Sequence, residues 1–218
     1  MKEHRLTVSR STRYYTAGRP GREVWFVLHG YGQVAERFLT TCGPLDDGTR
    51  LIVAPEALSR FYVDRAHRIV GASWMTREDR GAEIADYVRY LDTVYQEVLA
   101  ALAALPGGGG GAVHVLGFSQ GAAAAARWLA LGAARAERLI LWGGEVPPDL
   151  DLDDATLVGR LSGLRLTFVA GRQDDYITDK ILERDATRLR RAGVPFGVVR
   201  FEGGHVMDET VLREVAGE

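Results

Sequence analysis

Gly117-Phe118-Ser119-Gln120-Gly121 is a G-x-S-x-G pentapeptide set between two different hydrophobic patterns. The short apolar run Val113-His114-Val115-Leu116 enters it, and an alanine-rich stretch extending to Leu131 leaves it. The pentapeptide alone is weak, because glycine and serine are common. A strand on one side and a helix on the other give it meaning, since that junction lifts a serine hydroxyl above the edge of a sheet. The flanking glycines avoid side-chain collisions where strand and helix nearly meet. The same turn presents the N–H of Gln120 at a helix start, where the dipole favours a developing oxyanion. A serine here would otherwise serve only as a helix N-cap, and the context favours the nucleophile.

A serine hydroxyl is a poor nucleophile at its own pKa, so a base must take its proton. His4, His29, His67 and His114 precede Ser119, and only His205 follows it. His205 stands after Gly203-Gly204, just beyond the apolar run 196–201, and the carboxyl ends of strands are where α/β sheets build sites. An acid is expected after the run 165–170, in Gly171-Arg172-Gln173-Asp174-Asp175-Tyr176-Ile177. Either aspartate has the chemistry to hold an imidazole in the correct tautomer. Asp174 is preferred and Asp175 is the alternative, the other being a turn residue or a cap for the helix near Ile177. A second loop, Val27-Leu28-His29-Gly30-Tyr31-Gly32, ends an early strand. Its glycines let the backbone turn an N–H inward, and the N–H of Tyr31 is assigned as the second oxyanion donor beside that of Gln120. His29 sits at the strand terminus and reads as a hydrogen-bonding support rather than a base.

These residues need a sheet to hold them. A short run apolar on both faces at 23–28 and another at 50–54 predict buried strands, and the runs 113–117, 138–142, 165–170 and 196–201 predict further strands of the same sheet. Two shorter runs, 6–9 and 13–17, predict an antiparallel edge hairpin. Helices are expected over 35–42, 81–105, 120–131, 177–192 and 207–215. The longest shows Ile84, Val88, Leu91, Val94, Tyr95, Val98 and Leu102 at three- and four-residue spacing. Gly107 to Gly111 follow it. With a helix before them and a strand after, they read as a flexible connection and not a phosphate loop. The alternation of strand and helix predicts an α/β class fold in one domain, a mostly parallel sheet with helices on both faces.

Only residues 143–164 separate two of the strands, too few for a large cap domain. The segment 55–80 is long for a connection and rich in aromatics. Phe61, Tyr62, Trp74 and Met75 are candidate walls of an acyl or alcohol pocket, with plain packing as the competing role. Arg60, Arg65, Arg68, Arg77 and Arg80 in the same segment read as a solvated surface.

Composition narrows the function classes. With 46% hydrophobic and 26% charged residues the chain can build a substantial core. A net charge of −2 gives no reason to expect nucleic acid or an anionic membrane as partner. Cys42 is the lone cysteine, so no intrachain disulfide or cysteine metal cluster is possible, and it reads as a buried apolar residue. No apolar segment follows the N-terminus, so a cytoplasmic protein with no membrane span is expected. The chemistry calls for a small-molecule ester and for no metal or cofactor. Oligomeric state stays open.

Residues 28–32, 117–121, 171–177 and 203–205 together resemble the phospholipase/carboxylesterase family, which includes the acyl-protein thioesterases. The match runs in order over nearly the whole chain, and Gly-Phe-Ser-Gln-Gly is fairly specific within the fold. The resemblance implies an α/β-hydrolase fold, a Ser119, Asp174, His205 triad, and oxyanion donors at Tyr31 and Gln120. It implies hydrolysis of short- to medium-chain carboxylic esters through an acyl-serine. Acyl thioesterase or lysophospholipase activity is the alternative. A non-catalytic binding role fits less well, since all three triad types are present. Gln33 stands where the family carries aspartate. Ala170, Ile177 and Thr178 replace its histidine, valine and proline, while the Gly-x-x-Asp spacing still selects Asp174.

Overall fold

In a computed structural model, which describes residues 1–106 and 111–217, the apolar runs lie side by side in one seven-stranded sheet. The strands are β1 (Tyr14–Gly18), β2 (Glu23–Leu28), β3 (Arg50–Pro55), β6 (Ala112–Phe118), β7 (Arg138–Trp142), β8 (Arg165–Gly171) and β9 (Phe196–Phe201). Their order is β1-β3-β2-β6-β7-β8-β9. Every pairing is parallel except that of β1 with β3, in which Tyr14 faces Pro55 and Gly18 faces Leu51.

Because side chains alternate along a strand, each central strand feeds two cores. Val24, Phe26 and Leu28 of β2 point to one side with Val115, Leu139, Leu141 and Phe168. Trp25 and Val27 point to the other with Ile52, Leu116, Ile140 and Val169. The first side is covered by α2 (Arg80–Ala103), α3 (Gln120–Leu131), α4 (Ala155–Ser162) and α5 (Asp179–Ala192). The second is covered by α1 (Ala35–Thr41) and α6 (Glu209–Gly217). Of the α2 stripe, Val88, Leu91, Val94, Val98 and Leu102 are buried, as the spacing predicts, while Ile84 and Tyr95 are partly buried at its margin. Cys42 is buried in the second core, where desolvation pushes its thiol pKa up. Among the described residues, no helix is long and apolar enough to cross a membrane.

Three features depart from the sequence reading. Residues 6–9 form no strand, and the expected hairpin with 13–17 is absent. Leu6 and Val8 are exposed, so that run buries nothing, and β1 pairs instead with the open edge of β3. The segment 55–80 contains a two-stranded antiparallel sheet of β4 (Ser59–Tyr62) and β5 (Val70–Ser73). The segment 143–164 contains α4, whose start is capped by Asp154 accepting from the N–H groups of Thr156 and Leu157. Of the glycine run, residues 107–110 lie outside the described residues.

The parallel strands share one direction, so the loops after β2, β6, β7, β8 and β9 emerge at one edge of the sheet. Four of these loops carry the candidate residues.

Candidate active site

Ser119 lies between β6 and α3 with φ 55° and ψ −119°, a region that side-chain-bearing residues rarely occupy. Such a conformation costs on the order of 1–3 kcal/mol and persists only where its surroundings enforce it. Here they do. The Ser119 N–H donates to the Trp142 carbonyl at 2.8 Å. A Cβ added at Gly117 would lie 2.2 Å from the Gly121 carbonyl oxygen, and one at Gly121 would lie 2.1 Å from that of Leu28. Strand and helix therefore meet at a distance only glycine permits. The junction leaves the Gln120 N–H at the first position of α3, with no protein acceptor among the described residues.

Two histidine contacts bring three loops together. His205 Nε2 lies 2.9 Å from Ser119 Oγ, and His205 Nδ1 lies 2.8 Å from Asp174 Oδ2. The other carboxylate oxygen of Asp174 accepts the N–H groups of Tyr176 at 2.8 Å and Ile177 at 2.9 Å. Burial pulls the Asp174 pKa up, but these two N–H bonds and that from His205 outweigh it and hold the carboxyl below its ordinary range. An ionised Asp174 accepts from Nδ1–H, which leaves Nε2 free to accept from the serine hydroxyl. The Asp174 side chain is 1% exposed and that of His205 is 19% exposed, so the carboxylate is sealed while the imidazole edge meets solvent.

The loop around His205 is pinned from both sides. Trp142 Nε1–H donates to the Val206 carbonyl at 2.8 Å, and the Gln173 N–H donates to that of Gly203 at 2.9 Å. The imidazole lies between two rings, with centroids 5.0 Å away for Phe118 and 4.7 Å for Tyr176. Asp175 is exposed and lies in the bend after Asp174, and the carboxylate that accepts from His205 Nδ1–H is that of Asp174. The helix cap falls to Thr178, so α5 starts at Asp179 and Ile177 stays in the turn.

The glycine loop after β2 is held by a buried histidine. The Ala57 N–H donates to His29 Nε2 at 3.1 Å, which puts the imidazole proton on Nδ1. Nδ1–H then donates to the Gly30 carbonyl at 2.8 Å. In a trans peptide the carbonyl and the following N–H point in opposite directions. Drawing the Gly30 carbonyl toward His29 therefore turns the Tyr31 N–H the other way, and it finds no protein acceptor among the described residues. A Cβ added at Gly30 would lie 3.2 Å from Ser119 Cβ, so the loop abuts the serine. Gln33 tightens the turn by accepting the Gly30 N–H at 2.7 Å. β5 props it from outside, with the Gly32 N–H donating to Ala72 O and the Ala72 N–H to Gln33 O, each at 2.9 Å.

The candidate pocket residues divide. Phe61 is half-buried, its ring 5.0 Å from that of Tyr31. Tyr62, the next residue of β4, is exposed and packs on His67 at 4.7 Å. Trp74 is buried: its ring lies 5.2 Å from His29 and its Nε1–H donates to the His29 carbonyl at 2.8 Å, so it buttresses the loop. Met75 is half-buried, and its carbonyl accepts Gln120 Nε2–H at 2.7 Å while Gln120 Oε1 accepts the Trp74 N–H at 3.0 Å. Three of the neighbouring arginines are ion-paired, Arg60 with Glu56 at 2.5 Å, Arg68 with Asp64 at 3.6 Å and Arg80 with Asp149. Three features escaped the sequence reading: the Gln120 side chain as a staple, and the Phe118 and Tyr176 rings flanking His205. Only the strained turn and the acid loop's path bring those groups together, and neither is encoded in spacing.

No protein-family model matches the chain, and no curated protein matches it by sequence. Solved structures do match in shape. A carboxylesterase from Mesorhizobium loti superposes with a TM-score of 0.72 at 20% identity, over 94% of this chain and 94% of that one. Acyl-protein thioesterase 2 from Zea mays gives 0.66 at 18% identity, over 95% and 97%. A phospholipase/carboxylesterase from Dyadobacter fermentans gives 0.65 at 17% identity, over 97% and 99%. At these identities the likeness establishes the architecture: this chain has the α/β-hydrolase fold.

Proposed function

We propose that the chain is a serine hydrolase that cleaves small-molecule carboxylic esters. The observation that carries this reading is the unbroken hydrogen-bond chain from Asp174 through His205 to Ser119, set on a strained strand-to-helix turn. His205 Nε2 takes the serine proton as Oγ attacks the ester carbonyl. The ionised Asp174 holds the tautomer and stabilises the imidazolium that forms. The carbonyl oxygen becomes an oxyanion, met by the N–H groups of Tyr31 and Gln120. His205 passes its proton to the departing alcohol, and water activated by the same imidazole then hydrolyses the acyl-Ser119 intermediate. The scheme uses protein groups and water throughout.

Short to medium acyl chains are the proposed substrates. The Tyr31 and Phe61 rings beside the oxyanion loop offer an apolar surface for them. The same groups would also open thioesters and lysophospholipids, and a panel of p-nitrophenyl esters, acyl-CoA and lysophospholipid separates these classes. The test of the reading itself is turnover of p-nitrophenyl butyrate by the wild type and His205→Ala. Loss of the base is expected to lower kcat by on the order of 10⁴ or more, with the melting temperature retained. Equal turnover by a folded His205→Ala would overturn the reading.

A further inference from the structure

We propose that Tyr176 forms the leaving-group wall of this site and favours esters of planar aromatic alcohols. The inference rests on the ester-hydrolase reading and goes beyond it by giving a substrate class to one side of the cleft. In that reaction the oxygen of the departing alcohol receives its proton from His205 Nε2. The alcohol must therefore lie against the imidazole edge that sits 2.9 Å from Ser119 Oγ. The carbonyl oxygen goes instead to the N–H groups of Tyr31 and Gln120, so the two parts of the ester meet different walls.

On the imidazole side the Tyr176 ring offers a large apolar surface open to solvent. Its centroid is 4.7 Å from that of His205, and the residue is 70% exposed. An exposed aromatic is ordinary by itself; what sets Tyr176 apart is how it is held. Its backbone N–H donates to Asp174 Oδ1 at 2.8 Å, so the ring is carried by the same carboxylate that orients the base. Among the described residues its hydroxyl has no hydrogen-bond partner, so that end of the ring is not tied to the protein. Nor does it bury the base. Phe118 already covers the imidazole at 5.0 Å, and the His205 side chain keeps 19% of its surface open. A flat ring leaving past Nε2 can pack edge-to-face or offset against Tyr176 at the centroid separations aromatic pairs prefer, a geometry a puckered ring matches poorly.

The experiment compares benzyl acetate with cyclohexylmethyl acetate. Both release a primary alcohol bearing a six-membered ring, and both pass through the same acetyl-Ser119. The wild type is expected to favour the benzyl ester in kcat/KM. Tyr176→Ala is expected to lower kcat/KM for benzyl acetate by about threefold to tenfold and that for cyclohexylmethyl acetate by less than about twofold. Tyr176→Phe should keep the wild-type ratio. Equal losses on the two esters would mean that Tyr176 merely restrains His205, and that overturns the proposal. So does an unchanged ratio in an active Tyr176→Ala enzyme. A wild type that turns over neither these esters nor p-nitrophenyl acetate overturns the ester-hydrolase reading itself, and this inference with it.

Discussion

The Nδ1–H of His29 donates to the carbonyl of Gly30 at 2.8 Å, and that bond turns the next peptide N–H, of Tyr31, away from His29. Burial pushes the His29 pKa below its ordinary value, so the ring stays neutral, and the Ala57 N–H on Nε2 selects the tautomer. A histidine whose two ring nitrogens are both engaged by backbone groups thus acts on the site through one peptide plane. His29→Ala frees that plane. The expected result is a fall in kcat of roughly tenfold to a few hundredfold with KM little changed, approaching the loss of one oxyanion donor. Steady-state kinetics on a small ester, with a melting curve to show retained folding, checks this. An undiminished kcat would remove His29 and Tyr31 from the scheme.

The two adjacent aspartates make opposite predictions. Asp174→Asn keeps the shape but replaces the carboxylate that accepts His205 Nδ1–H, and the amide can favour the wrong tautomer. A drop in kcat of roughly 10²- to 10⁴-fold is expected. Asp175→Asn, at an exposed turn position, should cost less than about tenfold. Measuring kcat for both on one ester decides it. A crippled Asp175→Asn beside a normal Asp174→Asn would reassign the acid.

Acid stability should report the Arg127–Asp149 pair. The Arg127 side chain is 4% exposed and donates to Asp149 at 2.6 and 2.9 Å. Burial pulls the Asp149 carboxyl up, but the bonds and charge of Arg127, with Arg80 beyond, hold it at about 2, below the ordinary 3.8. A depressed folded pKa gives stabilisation that is complete above the unfolded value and lost as the pH falls through the folded one. Asp149→Asn should therefore melt well below the wild type at about pH 6, with a loss of about 1–3 kcal/mol once the partial exposure of Asp149 is allowed for. The two melting temperatures should converge near pH 2. A deficit of the same size at both pH values would show that the charge of Asp149 contributes nothing.

Much of this arrangement is legible in sequence because strongly constrained chemistry leaves local marks. The strands β2, β3, β6, β7, β8 and β9 announce themselves as short, largely apolar runs, and α3 runs from Gln120 to Leu131 as its alanine pattern predicts. Ser119, Asp174 and His205 each follow a strand end within three positions of a glycine, so they stand out although 86 positions separate the serine from the histidine. What is hidden depends on non-local packing. The run 6–9 alternates like a strand but has no surface to cover. The β4 and β5 strands are short and pair mainly with each other, so their sequences carry little of the continuous hydrophobicity that marks the central strands. Trp74 reads equally as pocket wall or core; the carbonyl of His29, which it reaches across 45 positions, makes it core. The place of Tyr176 over His205 follows from a turn whose shape is set by two N–H bonds to Asp174, and no pattern of residue types conveys that.

The central claim is that Ser119 is a nucleophile activated by His205, and covalent labelling tests it most directly. A fluorophosphonate probe should add once to the wild type, and peptide mass spectrometry should find the adduct on Ser119. His205→Ala should label far more slowly, because the hydroxyl then keeps its proton. No adduct on the folded wild type, or an adduct at another residue, would contradict the account.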